Sequence, residues 1–395
     1  MEAVAVSLKD LYSLVEKDYD ITLIAGRKGM NKPVRWLHMV ENAEISSFLE
    51  GQEIAFTTGI GLQAQEDLID LVKVNCDNKA SAMVVNIGPF IRQIDPAVIR
   101  FCNENDFPLF KVPWKVHMAE IMRVFCFALT EAEKNNMKLA AALNHAILYP
   151  NQEEMYLQYM EQNGFLKNWN YCVALVDIVN EEQDQSVTQE RLEAVRRKIE
   201  SMIVCEHRRV AVLVMEHRLV IVFAKYQQDK IKNMMQEIMK ICVRLLPEGE
   251  TVYTGVGKVT KSARCISKSY YQGLKLEKLQ RGRRESGGLY FYEEMGLYKL
   301  LLAVEDKEIL EDYYRETIGP LEEYDKINHA DCIQVLKSYL KHNGSVRDTA
   351  EEMFLHRNTI NYKLNKIEEI VHMDLSDLET RQKMNIGFMI QEVLG

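Results

Sequence analysis

The chain has 395 residues, of which 47% are hydrophobic and 27% charged, a balance that excludes disordered and collagen-like chains and suits two to four globular domains. The formal net charge is −9, so a nucleic-acid surface, which needs local positive charge, must be confined to a patch. No stretch approaches the run of about 20 apolar residues that crosses a membrane, and the first residues lack a basic segment followed by an apolar core; the expected location is the cytoplasm, with no membrane partner.

Residues 1–115 read as an α/β domain. Ser7 and Asp10 form a helix-start pair, and Leu8, Leu11, Leu14 and Val15 make a helical stripe. ITLIAG, VRWLHMV, EIAFTTG, SAMVVNIG and PLFKV are strand candidates, with helices near 65–77 and 95–105. Strands that alternate with helices favour a largely parallel sheet. Ligands of such sheets sit beyond the strand C-termini. That places Thr57, Thr58 and Gly59, after the EIAFTTG strand, in a candidate effector site with Glu41 and Asn86 at two other strand ends. Threonine hydroxyls and an asparagine amide offer both donors and acceptors, and a carboxylate accepts a ring N–H. The same residues also serve as turn and cap residues. Trp36 and His38 share one strand face and read as core.

Residues 116–165 form a connector. No Pro or Gly interrupts the chain between Pro113 and Pro150, which predicts one long helix from His117 to about Leu148. Ile121, Phe125, Ala128, Ala132, Leu139, Leu143 and Ile147 make an apolar seam that fits a homodimer contact or packing within the chain.

Residues 166–285 read as β-α-β-β-α-β plus a helix, the ferredoxin-like arrangement: YCVALVDIV, a helix over 188–204, two strands joined at Glu216–His217, a helix over 229–245, TVYTGVG and a helix over 260–280. From Lys258 to Arg284 there are nine basic residues and one acidic one, Glu277. This stretch fits a solvated helix, a DNA-steering surface or a pairing surface for the acidic face of another domain. The eight cysteines form no CxxC, and no GxSxG, HExxH or phosphate-loop motif occurs. No catalytic residue, metal or cofactor is assigned.

Residues 286–395 read as all-helical, with a helix-turn-helix at 331–371. Ile333, Leu336 and Leu340 mark a first helix, stopped at Asn343–Gly344; Ser345 with Asp348 opens a second; Phe354–Leu355–His356 is the turn; a third helix starts near Arg357. At about 100° per residue, Ile360, Leu364, Ile367 and Val371 form one stripe. Asn358, Asn365, Glu369, Tyr362 and Lys366 lie opposite, flanked by Asn361. Asparagine carries the donor and acceptor that read adenine in the major groove, and Phe354–Ile367 holds Arg357, Lys363 and Lys366 with no acidic residue, which suits phosphates.

The run TAEEMFLHRNTINYKLNKIEEIVHMDLSD closely resembles the C-terminal helix-turn-helix of PucR-family bacterial transcription regulators, and HRNT followed by Tyr362, Lys363 and Leu364 is specific to that group. LKDLYSL and VRWLHMVENAEISSFLEGQEIAFTTG resemble the family's N-terminal domain, and residues 170–280 its degenerate GGDEF-like domain. The resemblance implies an effector-responsive regulator and no enzyme, commonly an activator of purine breakdown or related nitrogen use. Implied partners are double-stranded operator DNA, read by Arg357, Asn358, Thr359, Asn361, Tyr362, Lys363, Asn365 and Lys366, a purine or related metabolite, and a second copy of the chain. An amino acid, ureide or sugar acid remains an alternative effector, as does an N-terminal enzyme or interaction module.

Overall fold

A computed structural model describes residues 6–64, 67–179, 185–206, 209–247, 249–283 and 285–395. Residues 65–66, at the expected start of the 65–77 helix, and Arg284, last of the basic stretch, lie outside them. Contacts divide the chain into two compact units, one of residues 1–173, 180–250 and 259–267, the other of 174–179, 251–258 and 268–395. The division falls inside the middle segment that the sequence groups as 166–285.

In the first unit the strands are β1 (Val6–Ser7), β2 (Thr22–Ala25), β3 (Pro33–Val34), β4 (Trp36–Met39), β5 (Glu53–Thr57), β6 (Ala82–Ile87) and β7 (Leu109–Pro113). The helices among and after them are α1 (Leu8–Ser13), α2 (Ala43–Ser46), α3 (Leu68–Asp77), α4 (Pro96–Glu104) and α5 (Met118–Leu148). A five-stranded sheet takes the order β2-β7-β6-β5-β4; β4, β5, β6 and β7 run parallel, and only β2 is antiparallel to its neighbour. The side chains alternate as the pleat requires. Ile54, Phe56, Ala82 and Val84 face one side, with Leu8 and Leu11 of α1 and Ile121, Phe125 and Leu129 of α5. Ala55, Met83 and Val85 face the other, with Leu68, Leu71 and Val72 of α3 and Val98 and Cys102 of α4. Fully burying each large apolar side chain contributes about 1.5–3 kcal/mol. The Ser7 hydroxyl caps α1 by accepting from Asp10 N at 3.2 Å.

One sequence expectation changes here, and one of two open alternatives is seen. Trp36 is 59% exposed, not core, because β4 is an edge strand. The α5 seam is used within the chain: Ile121 and Phe125 enter the sheet core, Leu139, Leu143 and Ile147 are also buried, and the helix packs against strand Val210–Met215 and helix Leu157–Gln162. That strand pairs with Arg218–Ala224 in a hairpin whose turn residue, Glu216, has φ 55. Helices Gln185–Glu206 and Gln228–Leu245 complete the unit.

In the second unit, residues 174–179 pair antiparallel with Thr251–Val256. The middle elements follow the expected β-α-β-β-α-β order. Helices Lys307–Thr317, Gly319–Asn328, Cys332–Lys341, Val346–Glu352, Arg357–Val371 and Leu378–Leu394 form the C-terminal region, around a core that includes Ile318, Leu336, Tyr339, Ile360, Leu364, Met384 and Phe388.

Candidate functional site

The helix-turn-helix is built from Cys332–Lys341, Val346–Glu352 and Arg357–Val371. Ser345 starts the second helix: its hydroxyl accepts from Asp348 N at 3.3 Å. His356 starts the third, where Nδ1 accepts from Asn358 N at 3.3 Å. Between them Phe354 turns the chain with φ 53 and stands 95% exposed. Ile360, Leu364, Ile367 and Val371 are buried. Arg357, Asn358, Asn361, Tyr362 and Asn365 are exposed, and Thr359, Lys363 and Lys366 are half-buried. One helix therefore anchors an aliphatic ridge and turns three amides outward.

The cations of this helix are not equivalent. Lys363 pairs with Asp331. Lys366 lies 2.9 Å from Glu369, which raises its pKa, and 5.8 Å from the centroid of the Tyr324 ring. Among the described residues no carboxylate pairs with Arg357. Glu352 ties the first two helices together, receiving Lys341, Ser338 and, at 3.1 Å, His342 Nε2. These donors, Lys341 foremost, pull its carboxyl down to about 2.

A second site lies at the C-terminal edge of the five-stranded sheet. A pocket of about 470 Å³ is lined by Met39, Thr58, Asn86, Trp114, Val116, His117, Met118, Ala119 and Met122. Its volume is in the range of small-ligand pockets. The expected site residues meet here in two layers. Thr58 and Asn86 line the pocket. Glu41 is instead turned into the loop behind it, accepting from Thr57 Oγ1 at 3.0 Å, Thr58 Oγ1 at 2.8 Å and Gly59 N at 3.0 Å. Its carboxylate organises the loop and is already saturated with donors. Gly59 has φ +78, and a Cβ there would meet Ile91 at 2.5 Å. The sequence reading did not single out Trp114 or the start of α5. A Cβ on Gly88 would fall 2.3 Å from the Trp114 ring, so the glycine lets the indole lie close against the backbone. The Gly-Pro pair GPF after the SAMVVNI strand was the available signal.

Four of the eight described basic residues of the 258–284 stretch pair with carboxylates. Lys258 lies 3.4 Å from Glu293, Arg264 pairs with Glu153, Arg281 with Asp177 and Glu277, and Arg283 lies 2.7 Å from Glu392. In each of these pairs both partners belong to the same compact unit. Among the described residues no helix is long and apolar enough to cross a membrane, and no cluster of His, Cys, Asp and Glu has the makings of a metal site.

Residues 10–129 match the purine catabolism regulatory protein-like family, and residues 332–390 match the PucR C-terminal helix-turn-helix domain. The chain is 27% identical over 211 residues to the proline-responsive transcriptional activator PutR of Bacillus subtilis (strain 168), across 51% of each chain. It is 26% identical over 133 residues to the DNA-binding transcriptional activator AdeR of the same organism, across 33% of this chain and 32% of AdeR. It is 31% identical over 95 residues to that organism's purine catabolism regulatory protein, across 24% of this chain and 17% of the relative. The matched regions thus span about half the length of these relatives or less. All three relatives are regulators by name.

Proposed function

We propose that this chain, which carries the PucR-type N-terminal domain and the PucR C-terminal helix-turn-helix domain, is a metabolite-responsive regulator of transcription that binds operator DNA through the helix Arg357–Val371. The observation that carries this reading is the division of that helix: a buried aliphatic ridge and, opposite, Asn358, Asn361 and Asn365 exposed beside the exposed Arg357. The asparagines read base edges, and Arg357, Thr359, Tyr362, Lys363 and Lys366 face the sugar-phosphate backbone.

The input is a small nitrogen compound held in the pocket where Thr58 and Asn86 converge. Thr57, Gly59 and Glu41 shape the loop behind it. The family resemblance favours a purine or its breakdown products; the name of PutR favours an amino acid. PutR and AdeR are named as activators, and this chain is read as an activator in the same way. The order of the middle elements supports a degenerate GGDEF-like fold over 166–285. At its hairpin turn stand Met215, Glu216, His217 and Arg218, without the paired glycines and adjacent carboxylates of a cyclase. A homodimer supplies two reading heads for half-sites about 34–36 Å apart, through surfaces other than the α5 seam.

The test is fluorescence anisotropy of the full chain on DNA from upstream of its own gene, against scrambled DNA of equal length. The proposal expects a specific site, with discrimination lost in Asn358→Ala and Asn361→Ala while affinity for scrambled DNA persists. Equal binding of both DNAs by the parent chain, or unchanged discrimination in both variants, overturns it.

A further inference from the structure

The pocket beside the sheet has two kinds of polar wall, and together they define a ligand. The first is the start of α5. Residues His117, Met118 and Ala119 line the pocket, and the N-cap, His117, supplies no side-chain cap to the helix. Glu120 N is turned back to His117 O at 2.9 Å, while the amides of Met118 and Ala119 have no partner among the described residues. The start of a 31-residue helix thus borders the cavity with backbone amides that have no partner among the described residues and with the positive end of its dipole, an arrangement that favours an anion.

The second wall is Asn86, which is 4% exposed and lines the same pocket. Its Nδ2 faces the carbonyls of Val112 and Pro113, each at 3.4 Å. Two acceptors on that side fix the amide with nitrogen toward the backbone and oxygen away from it. Oδ1 accepts from no described residue and is not among the fully buried atoms, so it is open to a donor from a ligand or water. Thr58, on the same side, is backed by the Glu41 carboxylate at 2.8 Å. This part of the wall is therefore electronegative and asks for an N–H donor. The rest of the lining, Met39, Trp114, Val116, Met118 and Met122, is apolar.

We propose that the pocket binds a small neutral amino acid with an apolar side chain. Its carboxylate sits at the N-terminus of α5, its ammonium donates to Asn86 Oδ1, and its side chain packs among the methionines and Trp114. This inference rests on the reading of the N-terminal domain as a sensor and chooses among its ligands.

The full chain is titrated by calorimetry with L-proline, L-valine, L-leucine and L-methionine. Each is paired with its amide, which lacks the carboxylate, and with the acid that lacks its nitrogen; hypoxanthine and allantoin complete the panel. At least one of the amino acids binds, and both of its truncated partners bind at least tenfold more weakly. Asn86→Leu weakens that amino acid by tenfold or more. Ala119→Pro removes one amide donor at a helix position where proline is tolerated and weakens the acid-containing probes alone. The circular dichroism and unliganded melting temperature of both variants check that they fold. Binding of hypoxanthine or allantoin that Asn86→Leu abolishes overturns the amino acid assignment and leaves the sensor in place. Silence to all four amino acids, or equal binding of an amino acid and its amide, also overturns it. The DNA reading is judged separately by the anisotropy assay, so the two failures are distinct.

Discussion

Arg35 Nη2 lies 3.1 Å from Glu200 Oε2, so the residue between β3 and β4 is tied to the helix Gln185–Glu206 of the same compact unit. The other carboxylate oxygen takes Arg196 Nη1 at 2.9 Å. Both side chains of the pair are nearly buried. The contact joins the edge of the candidate sensor sheet to an element of the middle segment.

Burial pushes the Glu200 carboxyl above its ordinary value of 4.5, against the pull of Arg196 and Arg35. A raised folded-state pKa means that the folded chain holds the proton more tightly than the unfolded one. The group's contribution to stability is then complete below about 4.5 and is lost as pH rises through the folded value. The urea midpoint of the parent chain should therefore fall relative to that of Glu200→Gln as pH is raised from 4.5 to 7. Arg35→Met removes one partner and leaves the acid buried, with an expected loss of about 1–3 kcal/mol at pH 7. A midpoint difference that stays flat with pH would show that Glu200 is solvated.

In the helix-turn-helix region, Ile360 is fully buried in the C-terminal core. Ile360→Ala deletes three heavy atoms in a packed interior, and the expected cost is about 2–5 kcal/mol. Thermal unfolding followed at the C-terminal region should show the loss directly. Asn361→Ala, one position on and exposed, should melt within about 0.5 kcal/mol of the parent chain. A comparable loss in both variants would mean that the helix faces the other way.

The Glu352 clasp has the opposite pH sign from Glu200. Lys341, Ser338 and His342 hold its carboxyl down at about 2, from an ordinary 4.5. Its contribution is present above about 4.5 and disappears as pH falls toward 2. The melting-temperature gap between the parent chain and Glu352→Gln should be constant near neutrality and close between pH 4.5 and pH 2. A gap that widens in acid would remove Glu352 from the clasp.

Much of this was legible in the sequence because short-range chemistry fixed it. The alternation of Ile54, Ala55 and Phe56 places a strand between two layers, and the spacing of Ile360, Leu364, Ile367 and Val371 needs no neighbour to define a ridge. Trp36 was misread because edge position depends on strand order, which five similar strands leave open. The α5 seam was ambiguous for a related reason: apolar periodicity says that a face is covered and is silent on whether the cover is the same chain. The sequence places these polar residues at strand ends but does not divide their contacts. Glu41 and Asn86 both end strands; only the fold turns one into the Thr57–Gly59 loop and sets the other in the pocket lining.

Charge pairing also separates the cations of the reading helix, and salt dependence can measure it. Each phosphate contact contributes about −0.9 to the slope of log affinity against log salt. Arg357, without a carboxylate partner among the described residues, can make one such contact, so Arg357→Ala should weaken all DNA sequences alike and make the slope shallower by about 1. Lys363 is already neutralised by Asp331, and bringing it to a phosphate requires that pair to be given up. Lys363→Ala should therefore move the slope less than Arg357→Ala, while Asp331→Asn, which frees the lysine, should tighten binding to scrambled DNA. Equal slope changes for Arg357→Ala and Lys363→Ala would mean that the Asp331 pair opens on the DNA.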